Sequence, residues 1–237
     1  MSLILAVDTS AKPVSCALVK DGVVLSSYYS NTGLTHSQTL MPMIETMMRS
    51  VNAVVADLDA VAVNAGPGSF TGVRIGVSAV KGIAFTHNLP CVSVSTLESM
   101  AQNIPIDENS VICCVMDARC QQVYTALFGA GENGDPVRLS EDKAISVYEL
   151  KNQLKNIEKT IIIVGDGAEM CYNELRGSVP KLLLSPPSVR YQNAAAAAVV
   201  AQRLIEEGKM VSAEELLPFY LRLPQAEREL NQRMSLK

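Results

Sequence analysis

Histidine is almost absent from this chain. Among 237 residues there are two, His36 and His87, and no HxxxH. A transition-metal site needs clustered imidazole and carboxylate ligands, and no such pattern is present. A metallopeptidase would therefore lack an activator for its water. No serine or cysteine has a base that the sequence makes visible. The six cysteines, Cys16, Cys91, Cys113, Cys114, Cys120 and Cys171, form no CxxC pair. With no export signal beside them they read as reduced thiols, mostly core. The opening apolar run, residues 3–7, stops at Asp8, too short for the core of a signal peptide. No apolar run approaches the ~20 residues of a membrane span. A cytoplasmic protein without a membrane partner is expected. Dense Lys/Arg runs are also missing. Lys151, Lys155 and Lys159 surround one expected helix and read as its solvated face. With a net charge of −4, any nucleic acid this chain serves is expected to meet its phosphate contacts mainly on a partner.

Hydrophobic residues make up 48% of the chain and charged residues 19%, a globular composition. The length suits one large domain or two small ones. The most informative stretch is Gly66-Pro67-Gly68-Ser69-Phe70-Thr71-Gly72-Val73-Arg74-Ile75-Gly76. It follows an apolar run that reads as a buried strand and opens a helix over 73–85. Glycines at such a turn permit backbone that other residues avoid. Ser69 is a good N-cap. The turn is either a tight capped turn or a seat for an anion on the helix N-terminus. The helix itself is apolar almost all round. Only Arg74, Ser78 and Lys81 make a polar stripe, whereas a helix on one sheet needs an apolar arc of roughly 100°. The helix is either buried inside its own domain or covered by a partner, and Gly72 and Gly76 would let a second helix come close.

Along the chain, strands are expected at 3–8, 14–19 and 23–29, with Asp21-Gly22 as a hairpin turn. A helix over 40–51 follows, in which Pro42 either sits in the first turn or kinks it. Strand 58–64, the glycine turn, the helix to Phe85, strand 91–94 and a short helix capped by Thr96 complete the first unit. The pattern then recurs: strands 111–116 and 122–128, a loop over 129–135, a less distinct third strand, helix 147–156, strand 160–164, the turn Gly165-Asp166-Gly167 and a helix from Ala168. Ser185-Pro186-Pro187 introduces the last helices, one of them Ala-rich and ending at Gly208. Two βββαβα units imply a duplicated α/β fold. The boundary falls in 103–109, giving a first domain of 1–103 and a second of 104–237.

Asp8-Thr9-Ser10, at the end of the first strand, resembles the first phosphate loop of the actin, Hsp70 and sugar-kinase superfamily. More closely, the chain resembles the TsaB family, also called YeaZ. The residues that carry this are Val7-Asp8-Thr9-Ser10, His36-Ser37-Gln38-Thr39-Leu40-Met41-Pro42, Gly66 through Gly76, Lys81-Gly82-Ile83-Ala84, Val94-Ser95-Thr96-Leu97, Asp117-Ala118-Arg119 with Val123-Tyr124, and Pro218-Phe219-Tyr220-Leu221-Arg222. Departures are mild: Gln38 stands where the family usually has Glu, Val73 where it has Leu, and Cys120 where a basic residue is common. The resemblance implies two tandem RNase H-like (actin-like ATPase) lobes, each a mixed sheet. The second lobe should be smaller and less regular, with a last helix packed back on the first.

It also implies a role in tRNA modification. The chain would be the non-catalytic partner of a paralogue, TsaD. That enzyme transfers threonylcarbamoyl from threonylcarbamoyl-AMP to N6 of the adenosine beside the anticodon. A small ATPase, TsaE, joins them. ATP or ADP and metal are expected in TsaD and TsaE, and no cofactor in this chain. Pairing, with TsaD or as a homodimer, would use the two helices of the first lobe. The interface residues are expected to be Leu40, Met43, Ile44, Met47, Gly72, Arg74, Gly76, Val77, Val80 and Lys81. Leu40, Met41, Met43, Ile44, Met47, Met48 and Val51 share an arc of roughly 160° on the first helix, and methionine suits an adaptable surface. An ordinary core stripe is the other reading. Vestigial nucleotide candidates are Asp8, Thr9, Ser10, Asp117, Gly165 and Gly167. Asp8 and Asp117 are either relics of an ATPase cleft or turn-capping carboxylates. Lys12-Pro13 stands where a phosphate loop wants glycine, so ATP binding by the chain alone is expected to be weak or absent. A small-molecule kinase or ATPase of the same fold, and a metallopeptidase, are the competing readings.

Overall fold

The structure, a computed structural model, describes residues 2–132 and 134–222. β1 (Leu3–Asp8), β2 (Val14–Lys20) and β3 (Val23–Ser30) form an antiparallel meander. Asp21 and Gly22 join β2 to β3 with φ of 49° and 80°, the left-handed pair that a two-residue hairpin requires. β4 (Ala60–Gly66) lies parallel to β1 and β5 (Cys91–Ser95) parallel to β4, giving the order β3-β2-β1-β4-β5. β1 reads as an unbroken apolar run because both faces of this sheet are covered. Leu5 and Val7 pack under α1 (His36–Ser50) and α2 (Phe70–His87). Ile4 and Ala6 pack under the alanines of α6 (Ala194–Glu206).

The second sheet repeats this plan. β6 (Ser110–Asp117) and β7 (Gln122–Ala130) are antiparallel, and two short strands, β8 (Pro136–Arg138) and β9 (Lys143–Ser146), share the third position beside β7. β10 (Thr160–Val164) and β11 (Leu182–Leu184) continue in parallel beyond β6. The order β11-β10-β6-β7-β8 is that of the first sheet read from its other end. α4 (Val147–Leu154) and α5 (Ala168–Leu175) cover one face. The other face packs on α3 (Thr96–Ala101): Leu97, Met100 and Ala101 join Ile112, Met116 and Phe128 in one core. Charged ties add to that shared core. Arg138 bonds Glu98 of α3 at 2.9 Å and Asp142 at 2.5 Å, and Glu98 also receives Arg203 of α6. None of the helices of the described residues is long and apolar enough to cross a membrane.

Several boundaries differ from the sequence reading. α1 starts at His36, which puts Pro42 in the second turn, where it removes the bond to the Gln38 carbonyl without breaking the helix. α2 starts three residues before Val73, because Ser69 caps it by accepting from the Gly72 amide at 3.3 Å. α3 is capped by Ser95, not Thr96. α4 stops at Leu154, and β7 takes the first two residues of the expected loop at 129–135. The short strand β11 went unread. Residues 223–237 of the expected second domain lie outside the described residues.

Candidate functional site

The ends of β1 and β6 open on one cleft of about 520 Å³. Ser10, Lys12, Ser69 and Thr71 line one wall, Asp117, Arg119, Tyr124 and Asp166 the other, and Tyr220 and Arg222 its edge. The two lobes build their walls alike. Asp8 Oδ1 accepts from the Ser10 amide at 2.7 Å, and Asp117 Oδ1 accepts from the Arg119 amide at 2.7 Å. Each carboxylate thus caps a turn two residues on.

They differ in exposure. Asp117 is exposed, whereas Asp8 is 1% exposed and both its oxygens are engaged. Oδ1 also accepts from Ser10 Oγ at 2.7 Å, and Oδ2 accepts from Asn64 Nδ2 at 2.8 Å. The glycine turn seals this wall. The Ser69 amide donates to the Ser10 carbonyl at 2.6 Å, and Thr9 Oγ1 donates to the Gly72 carbonyl at 2.7 Å. Side chains at Gly68 and Gly72 would overlap the carbonyls of Ser10 and Thr9. One of the free amides at the start of α2, read from sequence as a possible anion seat, is therefore spent on β1's own loop. Gly165 and Gly167 form the turn from β10 into α5. Gly165 has φ of 118° and lies against the Val115 carbonyl, and its amide donates to the Arg190 carbonyl at 2.8 Å. Burial raises the Asp166 carboxyl to about 6. His36 holds the loop after β1, its Nε2 lying 2.8 Å from the Ala11 carbonyl. Among the described residues no three His, Cys, Asp or Glu side chains gather as a metal-holding group.

Burial pushes the Asp8 carboxyl up against the hydrogen bonds that lower it. A carboxyl whose folded pKa exceeds its unfolded one costs stability above the unfolded value, and the cost grows as pH rises toward the folded value. Asp8→Asn removes that cost. The new amide also sets a donor against Asn64 Nδ2, a cost present at every pH. The melting temperature of the variant relative to that of the native chain is therefore expected to be higher near pH 7 than near pH 3, where the carboxyl is mostly protonated in both states. Thermal melts at both pH values check this, and a difference that does not shift in the variant's favour toward neutrality would refute it.

The residues expected at a partner interface split in two. Leu40, Ile44, Met47, Val77 and Val80 are buried beneath α1 and α2 in the first-lobe core, and Met43 packs against it half-buried. Gly72 and Gly76 allow close approach, but the approach is to Thr9 and Val63, not to another helix. Arg74 and Lys81 face residues far along the chain. Arg74 Nε donates to Tyr220 Oη at 2.9 Å and its guanidinium lies 3.8 Å over the Phe70 ring. Lys81 Nζ donates to the carbonyls of Glu214 and Leu216 at 3.1 and 3.2 Å. The surplus apolar arc of α2 is thus partly covered by the chain's own residues 211–216, with Leu216 fully in the core.

Two apolar grooves remain on the outer side. One, of about 480 Å³, lies between the helices and is lined by Leu40, Met41, Phe70, Arg74, Ile75 and Ala79 among others. The second, of about 830 Å³, runs along α1 past Met41, Ile44 and Met48 to Val55 and Ile83. Met41 lines both and is 47% exposed. The sequence puts it on the apolar arc of α1 without marking it as an interface residue. Tyr220 and Arg222 stand in a family motif that gives them no role; their contacts span more than 100 residues, and no local pattern reveals them.

Two lobes of one topology, packed through a shared helix and facing a cleft, define a protein of the actin-like ATPase fold. Comparison with known proteins narrows this. The family model described as "TsaD: tRNA N6-adenosine threonylcarbamoyltransferase" matches residues 30–230. The "tRNA threonylcarbamoyladenosine biosynthesis protein TsaB" of Escherichia coli (strain K12) is 31% identical over 92% of this chain and 94% of its own. The protein of the same name from Bacillus subtilis (strain 168) is 32% identical over 68% of this chain and 70% of its own. The solved structure "YeaZ from Pseudomonas aeruginosa" aligns with a TM-score of 0.77 at 28% identity, covering 93% of this chain and 100% of that one. The chain belongs to the TsaB (YeaZ) family.

Proposed function

We propose that this chain acts in tRNA threonylcarbamoyladenosine biosynthesis as the non-catalytic partner of a TsaD-type paralogue. The likeness to TsaB proteins over nearly the whole chain carries the pathway. The sealed first wall of the cleft supports the non-catalytic part. Asp8, the carboxylate that the fold places at the end of β1, has both oxygens engaged by the chain and is out of reach of a ligand. The competing ATPase reading needs that carboxylate accessible.

The partner docks on the outer face of α1 and α2. The grooves there are apolar and open, and Met41 joins them. Burying such a face against two helices of a same-fold partner gives a four-helix arrangement. Self-pairing would compete for the same surface. TsaE and the tRNA join through the complex.

The test is co-purification with the TsaD paralogue of the same genome and an assay of tRNA modification with and without this chain. Met41→Glu and Ser78→Glu, both at exposed positions, are expected to keep the fold and to weaken binding to TsaD at least tenfold. Folded variants that bind like the native chain would place the interface elsewhere. Modification at full rate without the chain would end the proposal.

A further inference from the structure

The motif Pro218-Phe219-Tyr220-Leu221-Arg222 has no part in the function proposed above. It closes a segment, residues 211–222, that carries neither helix nor strand and crosses from one lobe to the other. The first lobe holds it at four places. Val211 exchanges two backbone bonds with Cys91 at 2.8 and 2.9 Å, on the free edge of β5. Lys81 Nζ donates to the carbonyls of Glu214 and Leu216. The Phe219 amide donates to the Ala65 carbonyl at 2.7 Å, and the Phe219 carbonyl lies on Gly66, where any side chain would overlap it. Tyr220 receives the Arg74 guanidinium on its hydroxyl, with its ring 4.9 Å from Phe70.

Among the described residues the second lobe is met by a side-chain hydrogen bond from Arg222. Arg222 Nη1 donates to the Ala118 carbonyl at 2.5 Å. Ala118 opens the β6–β7 turn, in which Arg119, Cys120 and Gln121 have φ of 63°, 54° and 54°. Left-handed backbone is uncommon for any one residue that is not glycine. Three in succession persist only where surrounding bonds hold them. Among the described residues these bonds are the Ala118 amide to the Gln122 carbonyl, the Gln122 amide to the Arg119 carbonyl, the Arg119 amide to Asp117, the Val147 amide to the Gln121 carbonyl, and Arg222. Of these, Arg222 alone comes from outside the second sheet and the helices packed on it. It is also a charged donor, the stronger kind.

We propose that residues 211–222 are a latch between the lobes. It is anchored on α2 and the first sheet, and its Arg222 holds the left-handed turn 118–122 in place at the edge of the cleft. The anchor includes Arg74, which lines the groove on the outer face of α2 as well. The latch therefore joins the α1–α2 surface to the cleft by a continuous set of contacts.

Hydrogen exchange on the full chain tests it. In Arg222→Ala, the amides of Ala118, Gln122 and Val147 are expected to exchange at least tenfold faster, while those of β1 and β4 keep their native rates. Arg222→Lys retains a cationic donor and is expected to fall between. Unchanged exchange in the turn would overturn the latch. So would equal acceleration in β1 and β4, which would mark a general loss of stability, or an Arg222→Lys chain that behaves like Arg222→Ala.

Discussion

Met47→Asp is expected to unfold the first lobe. Met47 is 0% exposed and packs in the core that α1 and α2 share with the first sheet. Truncating a buried methionine costs about 2–5 kcal/mol. The aspartate adds a carboxylate with no partner, at several kcal/mol more. Domains are stable by about 5–15 kcal/mol in all. At about 2–4 °C per kcal/mol for a chain of this size, the melting temperature should fall by more than about 10 °C. Circular-dichroism melts decide it. A Met47→Asp chain that melts within a few degrees of the native one would show that α1 does not pack as described. The contrast with Met41→Glu, six residues away on the same helix and exposed, is the useful part. One variant should lose the fold; the other should keep it and, under the proposed pairing, lose only the partner.

That contrast marks what could be read from sequence. The apolar arc of α1 is real, but an arc does not reveal how much of itself the sheet already uses. Leu40, Ile44 and Met47 proved to be core and Met41 surface. The alternating and apolar runs placed the main strands and helices, and the repeat of βββαβα matches the two sheet orders. The short strands β8, β9 and β11 are too brief to carry a period of their own. Boundaries slipped where a cap or an unsatisfied turn decides them, as at Ser95 and His36. The family motifs marked the right stretches but not what each residue touches. Arg74 and Lys81 look like a free polar stripe on α2, and only the fold brings residues 214–220 onto them. Asp8 and Asp117 each accept a bond from the amide two residues on, a contact that a relic of an ATPase cleft and a turn cap could share.

Glycines show the same division between kind and partner, and they allow a sharp test. Gly72 and Gly82 both lie in α2. At Gly72 a methyl group would overlap the Thr9 carbonyl and come within 3.3 Å of Ser69 Cβ. The obstacle is backbone, pinned because Thr9 Oγ1 bonds the Gly72 carbonyl and Ser69 bonds the Ser10 carbonyl. Relief requires α2 to lift from the end of β1. Overpacking of this kind costs about 1–3 kcal/mol, sometimes more. Gly72→Ala is therefore expected to lower the melting temperature by roughly 2–12 °C. At Gly82 nothing lies within 4 Å, and the residue is exposed in mid-helix. There alanine only restricts the unfolded chain and suits the helix, a gain of about 0.5–1 kcal/mol, or a rise of roughly 1–4 °C. The two substitutions add the same methyl to the same helix and should move stability in opposite directions. Melts of both variants beside the native chain measure it. If Gly72→Ala stabilises as Gly82→Ala does, α2 does not sit on the loop after β1, and the sealed wall that takes Asp8 out of the cleft is not there.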